Sequence, residues 1–289
     1  MKKSTKINLI IAAVFILLGV ILAGIGFVLG GDDFDWENGF SFRINTEKAE
    51  LLETAEISAD VKNVNIDHSF KFTSGNNDVL TNVEIVSGDK FAISYYGNEN
   101  SADFSYEIVG DTLNIEIVEK YKVISWGFFD FYDNDSKVVV TVPSAQELES
   151  VNVNAAVEDL QIKNATIEKL DVNFDVGNIE ITNCQISDAD ITADVGNVEI
   201  ENSTLGDVQI TVDIGNIDVE DCYLDMINCT ANIGDIDISV NGFTGEYCAV
   251  GYAEIGSVNI CENIVTGYQQ DLKQIFATAD IGSIDINLE

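Results

Sequence analysis

The sequence contains very little positive charge, a single proline and a single histidine. Its 289 residues include 14 Lys or Arg and 50 Asp or Glu, which gives a net charge of −36. The imbalance is greatest after residue 169, where 23 acidic residues accompany one basic residue, Lys273. Because proteins bind nucleic acids by neutralising phosphates with Lys and Arg, we exclude a nucleic-acid partner. Anionic polysaccharides and lipid headgroups would also be repelled, whereas cations and basic partners fit this charge.

The shortage of histidine argues against catalysis. A Ser-His-Asp arrangement would have to use His68, which lies between Asp67 and Ser69 and which we predict to be a surface residue. No nucleophile motif accompanies it. Carboxylate pairs are so frequent in this chain that their spacing nominates no glycosidase dyad. We therefore expect no enzyme, no catalytic residues and no organic cofactor.

Five cysteines are present, an odd number without a CxxC pair, which favours neither a disulfide framework nor a zinc site. Cys184, Ser203 and Cys222 follow one another at intervals of 19 residues. We interpret them as small buried side chains of a repeating structure.

The first 29 residues differ in composition from the rest of the chain. Residues 1–6 contain three lysines, and Ile7–Leu29 contains no charged residue. Twenty-three helical residues span roughly 35 Å, enough to cross a bilayer. We favour an uncleaved single-pass anchor over a cleaved signal peptide, since the apolar run continues past its small residues. The lysines then keep residues 1–6 in the cytoplasm of a bacterial cell and place the C-terminal part outside the membrane.

An internal repeat dominates the rest. The phrase Asp-Val-Gly-Asn-Ile-Glu-Ile recurs in variants whose glycines are separated by 19, 19, 19, 22 and 26 residues. These glycines are Gly177, Gly196, Gly215, Gly234, Gly256 and Gly282. A degenerate earlier copy covers 156–162. Such periodicity is typical of stacked repeats.

One repeat indicates how a turn is built. Apolar and polar residues alternate over 190–195, the period of a strand whose buried face includes Val195. The alternation shifts at Gly196-Asn197 and again at Gly206-Asp207, where we predict two corners. The sequence therefore predicts an all-β fold, a single-stranded β-solenoid with turns of about 19 residues stacked in chain order ~4.8 Å apart.

The remaining boundaries follow from composition. Residues 30–50 are predicted to be a tether, 51–142 an irregular β part and 143–289 the regular repeats. Four strands are predicted in the irregular part: Val83–Val86, Phe91–Tyr96, Thr112–Val118 and Lys137–Val142. Tyr268–Phe276, in the longest repeat, is predicted to be a short helix or an outward loop.

The anchor, the strand-rich segment, the Val-Thr-Val-Pro junction at 140–143 and the glycine phrases together resemble the bacterial "putative adhesin", or toast-rack, β-repeat domain. The resemblance covers most of residues 51–289. It implies a repeat architecture in an envelope protein, in some cases connected with envelope stress systems. It implies no catalytic residues.

Carboxylates recur beside the glycines. Two residues before the first three glycines lie Asp175, Asp194 and Asp213, and three residues after them lie Glu180, Glu199 and Asp218. In stacked turns each set would form a column of like charges, which Ca²⁺ could neutralise through oxygen ligands. We favour a solvated acidic face that keeps the rod soluble, with Ca²⁺ sites as the alternative.

Aromatic residues cluster in one segment of the irregular part, at Trp126, Phe128, Phe129, Phe131 and Tyr132. We favour the interpretation that this cluster covers an open end of the solenoid. The alternatives are that it contacts a protein or glycan partner of the envelope or rests against the membrane.

Two functions remain open at this point, with a third behind them. The first is a membrane-anchored rod that presents an acidic surface, as an adhesin would. The second is a sensing module that acts through another membrane protein, and the third is a Ca²⁺-binding surface rod.

Overall fold

The computed structural model describes residues 49–73, 81–97, 102–122 and 136–289, all of which belong to one compact unit. These residues form strands and turns only. The first seven strands are β1 (Glu50–Glu56), β2 (Asn63–Thr73), β3 (Asn82–Gly88), β4 (Ala92–Gly97), β5 (Ala102–Val109), β6 (Thr112–Lys122) and β7 (Lys137–Pro143). The four strands predicted from the sequence of this part fall within β3, β4, β6 and β7, with one residue of difference at β4.

The repeats supply the other fourteen strands, and long and short strands alternate from β8 to β14. They are β8 (Glu147–Val157), β9 (Leu160–Lys163), β10 (Thr166–Val176), β11 (Ile179–Thr182), β12 (Gln185–Val195), β13 (Val198–Glu201), β14 (Thr204–Ile214), β15 (Ile217–Ile233), β16 (Ile236–Val240), β17 (Tyr247–Ile255), β18 (Val258–Ile260), β19 (Val265–Thr266), β20 (Lys273–Ile281) and β21 (Ile284–Leu288).

Each 19-residue repeat contributes one short and one long strand, and both pair in parallel with their equivalents in the next repeat. The long strands β8, β10, β12 and β14 form one sheet, and the short strands β9, β11 and β13 form another. β15 runs through both sheets, since its first residues pair with β13 and its last with β14. The inward faces of the two sheets carry aliphatic side chains that form one continuous core. Ile191, Ile210 and Cys229, for example, are in register and fully buried.

The glycine corner requires glycine because successive turns pass very close to each other there. Gly196 has φ of 153°, and a Cβ at this position would lie 1.8 Å from the carbonyl oxygen of Gly177. A Cβ on Gly215 would lie at the same distance from the carbonyl oxygen of Gly196. Any side chain would force the turns apart, which accounts for the most regular feature of the sequence.

The residue after each glycine ties one turn to the next. The Asn178 side-chain oxygen accepts a hydrogen bond from the Asn197 N–H at 3.1 Å, and that of Asn197 accepts one from the Asn216 N–H at 2.9 Å. Asp235 continues the series by accepting from the Ser283 N–H at 2.7 Å. The series links side chains to backbone, unlike the amide-to-amide ladders of cross-β fibrils.

The second corner lies four residues earlier than the sequence predicted. Asn183, Asn202 and Asp221 have φ of 55°, 51° and 53°, in the left-handed region that Asn and Asp tolerate best. The prediction of a corner at Gly206-Asp207 is wrong, because β14 continues through both residues. Leu205 and Val208 are both buried. Where β12 pairs with β14, Leu205 and Asp207 have partners and Gly206 between them is skipped. The shift in alternation is thus a bulge-like irregularity within a strand.

The prediction that turns stack in chain order is also wrong at the C-terminal end. β20 pairs with β15 on one side and β17 on the other, and β21 lies between β16 and β18. The last segment of the chain is therefore inserted between two earlier turns. Every turn presents nearly the same edge to its neighbour, so a connection long enough to cross back can exchange their order. The segment Tyr268–Phe276 was predicted to be a short helix or an outward loop. Residues 268–272 form part of this connection as a loop, but the prediction is wrong for residues 273–276, which belong to β20.

The irregular part joins the same sheets with a similar exchange of order. β2 lies between β6 and β8, and β3 lies between β7 and β9, all in parallel. β4 and β1 are added antiparallel beyond β7, and β5 is added antiparallel beyond β6.

The end of each long strand departs from the predicted alternation. Ile191 and Ala193 of β12 are buried, but Val195 is 41% exposed. The strand begins to bend at the glycine corner, and both Asp194 and Val195 consequently face solvent.

The predicted anchor, Ile7–Leu29, lies outside the described residues, as do residues 1–6 and nearly all of the predicted tether. Within the described ranges, no helix has the length and apolar character that a membrane crossing requires.

Candidate interaction surface

Two columns of carboxylates follow the stack on either side of the glycine corner. The residues two before each glycine, here named the leading acid column, are all exposed: Asp175, Asp194, Asp213, Asn232, Asp280 and Glu254. The residues three after each glycine, the trailing acid column, pair in the order Glu180, Glu199, Asp218, Asp237, Asp285 and Asn259. Six residues that sequence analysis singled out thus lie in two columns of three.

The trailing acid column contains mutually repelling charges. Partial burial, followed by the charge of Asp237, raises the pKa of Asp218 above its usual value. Partial burial and the neighbouring charge of Asp285 raise the pKa of Asp237 in the same way. Glu199 also has a raised pKa, with burial as the largest cause and Glu201 as the next. Strand pairing therefore holds these carboxylates side by side although they repel one another.

Few cations in the described residues balance these columns. Lys163 contacts Glu180 at 2.9 Å, at the N-terminal end of the trailing column. At the other end of the repeats, Lys273 binds Glu246 at 3.0 Å and lies 4.0 Å from Asp225, away from both columns. The central carboxylates are thus available to an external cation or basic group.

Each column is a single row of carboxylates and does not surround a metal ion with ligands. One acidic side chain per turn projects from each column, whereas Ca²⁺ takes six to eight oxygen ligands. Throughout the described ranges, no group of three or more His, Cys, Asp or Glu side chains could hold a metal ion. The Ca²⁺ candidates Asp175, Asp194, Asp213, Glu180, Glu199 and Asp218 are therefore brought into columns but not into a coordination sphere.

A buried ionisable cluster lies inside the first turns, and sequence analysis missed it. The prediction that His68 is a surface residue is wrong, since it is 3% exposed. His68 Nε2 lies 3.5 Å from Glu119 Oε1, and His68 Nδ1 lies 3.5 Å from Glu158 Oε2, with all three side chains at most 1% exposed. Burial, followed by the charge of Glu119, raises the pKa of Glu158 well above its usual value.

The alternation of the strands could have revealed this cluster. Val64, Ile66 and His68 alternate along β2, and the first two are buried core residues. His68 is in register with Ala155, on the inward face of β8. Glu119 occupies the corresponding inward phase of β6, after Ile115 and Ile117. The charge of these residues concealed a period of two that places them inside.

An open groove lies on the outer face of the first long strands. It has a volume of about 720 Å³ and is lined largely by polar residues of β2, β5, β6 and β8, among them Asn65, Asn114 and Asn152. The Asn65 amide donates to Asn114 Oδ1 at 2.9 Å. Tyr106, which also lines the groove, is half-buried and packs against the core.

All five cysteines are free thiols, and Cys184 and Cys222 are buried. Burial raises the pKa of the Cys222 thiol to about 11, which makes it unreactive at neutral pH. The predicted aromatic contact residues Trp126, Phe128, Phe129, Phe131 and Tyr132 lie outside the described residues.

Comparison with known proteins gives the family. The model of the Toastrack DUF4097 family matches residues 55–260, about seven tenths of the chain. The chain belongs to this family. The match includes the acid columns of all but the last turn, and the family is one of unknown function. No curated protein sequence matches the chain significantly.

Several solved structures are also similar. A "putative adhesin" from Bacteroides fragilis is 17% identical with a TM-score of 0.46, covering 83% of this chain and 97% of its own. A "putative adhesin" from Parabacteroides distasonis is 12% identical with a TM-score of 0.47, covering 83% and 99%. A "putative lipid binding protein" from the same species is 18% identical with a TM-score of 0.40, covering 82% and 96%.

Proposed function

We propose that this chain is a non-enzymatic, membrane-anchored β-solenoid that presents an acidic surface to a basic partner outside the cytoplasmic membrane, in the manner of an adhesin. The observation that carries the proposal is the register of the trailing acid column, from Glu180 to Asp285, across five stacked turns.

The columns favour extended basic partners over small cationic ligands. Five carboxylates about 4.8 Å apart extend over roughly 19 Å. A Lys-rich or Arg-rich segment that follows the stack axis can neutralise several of them together, and each neutralised pair relieves repulsion within the column. Membrane anchoring through Ile7–Leu29 would place this surface in the cell envelope of a bacterium.

The test compares two variants of the full-length chain in zwitterionic lipid nanodiscs. The first, Glu180→Gln/Glu199→Gln/Asp218→Asn, removes three charges from the trailing column. The control, Glu53→Gln/Glu107→Gln/Glu116→Gln, removes three exposed charges from the irregular part. The probe is a fluorescent oligolysine peptide, measured by anisotropy at increasing salt concentration.

We expect wild type and control to bind the peptide with a strong salt dependence, and the first variant to bind about tenfold more weakly. Equal weakening by both variants would show that overall charge, and not the acid columns, attracts the peptide. That result would contradict the proposal.

A further inference from the structure

An exposed row of aliphatic side chains follows the glycine corner along the stack. The residue before each corner glycine is Val or Ile, and each is at least 41% exposed: Val176, Val195, Ile214, Ile233, Ile281 and Ile255. Backbone pairing places them side by side in that order. Six turns spaced by ~4.8 Å make this row, here named the aliphatic ridge, about 24 Å long.

The geometry of the fold does not require an aliphatic residue at these positions. Threonine has nearly the same shape as valine and a comparable preference for strands. It occurs three residues before the ridge, at Thr192, Thr211 and Thr230, where the strands remain regular. Mutual contact within the ridge leaves Ile214 50% and Ile233 47% exposed. On so acidic a protein, a contiguous apolar strip indicates a contact surface.

The charges beside the ridge determine what can cover it. Each ridge residue directly follows a member of the leading acid column, and the trailing acid column lies on the other side of the corner. A second copy of this chain would bring the same carboxylates against them, and anionic lipid headgroups would be repelled equally. A partner with apolar side chains flanked by Lys or Arg complements the whole surface.

The spacing of the ridge fits an α-helix lying along the stack axis. A helix advances 5.4 Å per turn and returns an apolar side chain to one face at about that interval, close to the ~4.8 Å between ridge residues. An extended strand repeats its face every ~6.6–6.8 Å and falls out of step with the ridge sooner. The ridge length of about 24 Å corresponds to about 16 helical residues.

We propose that the aliphatic ridge, with its two acid columns, is a docking surface for a basic amphipathic helix of a partner protein. The inference rests on the proposed function and specifies its partner: the apolar stripe of the helix packs on Val195, Ile214 and Ile233, and its lysines or arginines reach the flanking carboxylates. Binding of this kind combines apolar burial with charge pairing, so it retains measurable affinity at salt concentrations that dissociate oligolysine.

The test uses the full-length chain in zwitterionic nanodiscs, with empty nanodiscs as the blank. Two labelled helical peptides of about 16 residues serve as probes. They have the same Leu and Lys composition, but one carries its leucines in a single stripe and the other distributes them around the helix. The ridge variant Val195→Thr/Ile214→Thr/Ile233→Thr keeps strand-forming residues at all three positions. Circular dichroism verifies that it is folded.

We expect the striped peptide to bind wild type, and the ridge variant to bind it about tenfold more weakly. The dispersed peptide should bind both proteins equally. Equal binding of the striped peptide to wild type and ridge variant would overturn the inference. If, in that case, Glu180→Gln/Glu199→Gln/Asp218→Asn bound both helical peptides more weakly than wild type, the proposed function would stand and only the docking of a helix on the ridge would be rejected. If wild type bound neither the striped nor the dispersed peptide, both the inference and the proposed function would be overturned. Ridge-dependent binding of protein-free lipid vesicles would also overturn the inference, by identifying a lipid surface as the occupant.

Discussion

Glu158 occupies the position that glycine holds in later turns, and it turns its side chain into the interior. The degenerate copy of the repeat at 156–162 therefore differs from its successors in more than sequence. It provides one carboxylate of a buried group whose other members, His68 and Glu119, come from different strands. A buried carboxyl group beside a second carboxylate favours its protonated form, which is why the pKa of Glu158 is raised.

The raised pKa predicts a pH dependence of stability. Between the unfolded pKa of about 4.3 and the higher folded value, native Glu158 holds a proton that the unfolded chain has lost. The contribution of Glu158 to the free energy of unfolding is therefore fully present below that range, and it declines as the pH rises through the folded pKa. We expect the melting temperature of wild type to fall more steeply than that of Glu158→Gln between about pH 5 and about pH 8.

Melting curves followed by circular dichroism at several pH values would measure this difference. Asp188→Asn removes an exposed carboxylate from a regular turn and serves as the control. Parallel pH profiles for wild type and Glu158→Gln, with the control indistinguishable from both, would contradict the role assigned to burial.

At the scale of elements, the exchange of turn order is the least expected feature. β20 separates β15 from β17, although β17 follows β15 more closely in the chain. Parallel strands with equivalent edges pair equally well in either order, so hydrogen bonding does not choose between them. The connection between β18 and β20 must cross the end of the stack, and it does so as a loop that includes the short strand β19.

Engineered disulfides can verify this order. Thr230 is in register with Thr278 of β20, while Tyr252 of β17 lies beyond Thr278. Adjacent parallel strands place their Cα atoms within the range that a disulfide spans, whereas a separation of two strands, roughly 10 Å, exceeds it. We expect Thr230→Cys/Thr278→Cys to form a disulfide on mild oxidation and Thr230→Cys/Tyr252→Cys to remain reduced.

Mass spectrometry after tryptic digestion under non-reducing conditions would report the linkage, in a background where the half-buried Cys261 is replaced by Ser. Stacking in chain order would give the reverse result, with the Thr230–Tyr252 pair oxidised.

The repeat phrase predicts the turn length, the glycine corner and the two acid columns, since each depends on a residue type that recurs every 19 positions. Sequence periodicity does not predict the order of turns at either end, because chemically equivalent edges leave several orders open. It also conceals the buried cluster: His68 was assigned to the surface by residue type, although its phase along the strand places it inside. Val195 shows the opposite error: its apolar side chain suggested burial, but the bend at the corner exposes it.

At the scale of the whole molecule, the net charge of −36 and the in-register columns store electrostatic repulsion in the native state. Like charges directly opposite each other in a sheet are destabilising. Partial burial, followed by this repulsion, raises the pKa of Asp218. A folded pKa above the unfolded value means that native stability declines as the pH rises above about 3.9 and the carboxylate loses its proton.

Neutralising one member of the column should therefore stabilise the fold at neutral pH. We expect Asp218→Asn to melt at a higher temperature than wild type at about pH 7 and low salt. The difference should shrink at about 500 mM NaCl, where the Debye length is about 4 Å and neighbouring carboxylates are screened. It should also vanish near about pH 3, where wild-type Asp218 is protonated. Glu107→Gln, in the antiparallel strand β5 outside both columns, is the matched control and should show a smaller change. A salt-independent gain in Asp218→Asn would instead assign the effect to relief of the cost of partly burying a charge, because salt weakens the repulsion between carboxylates and not that cost.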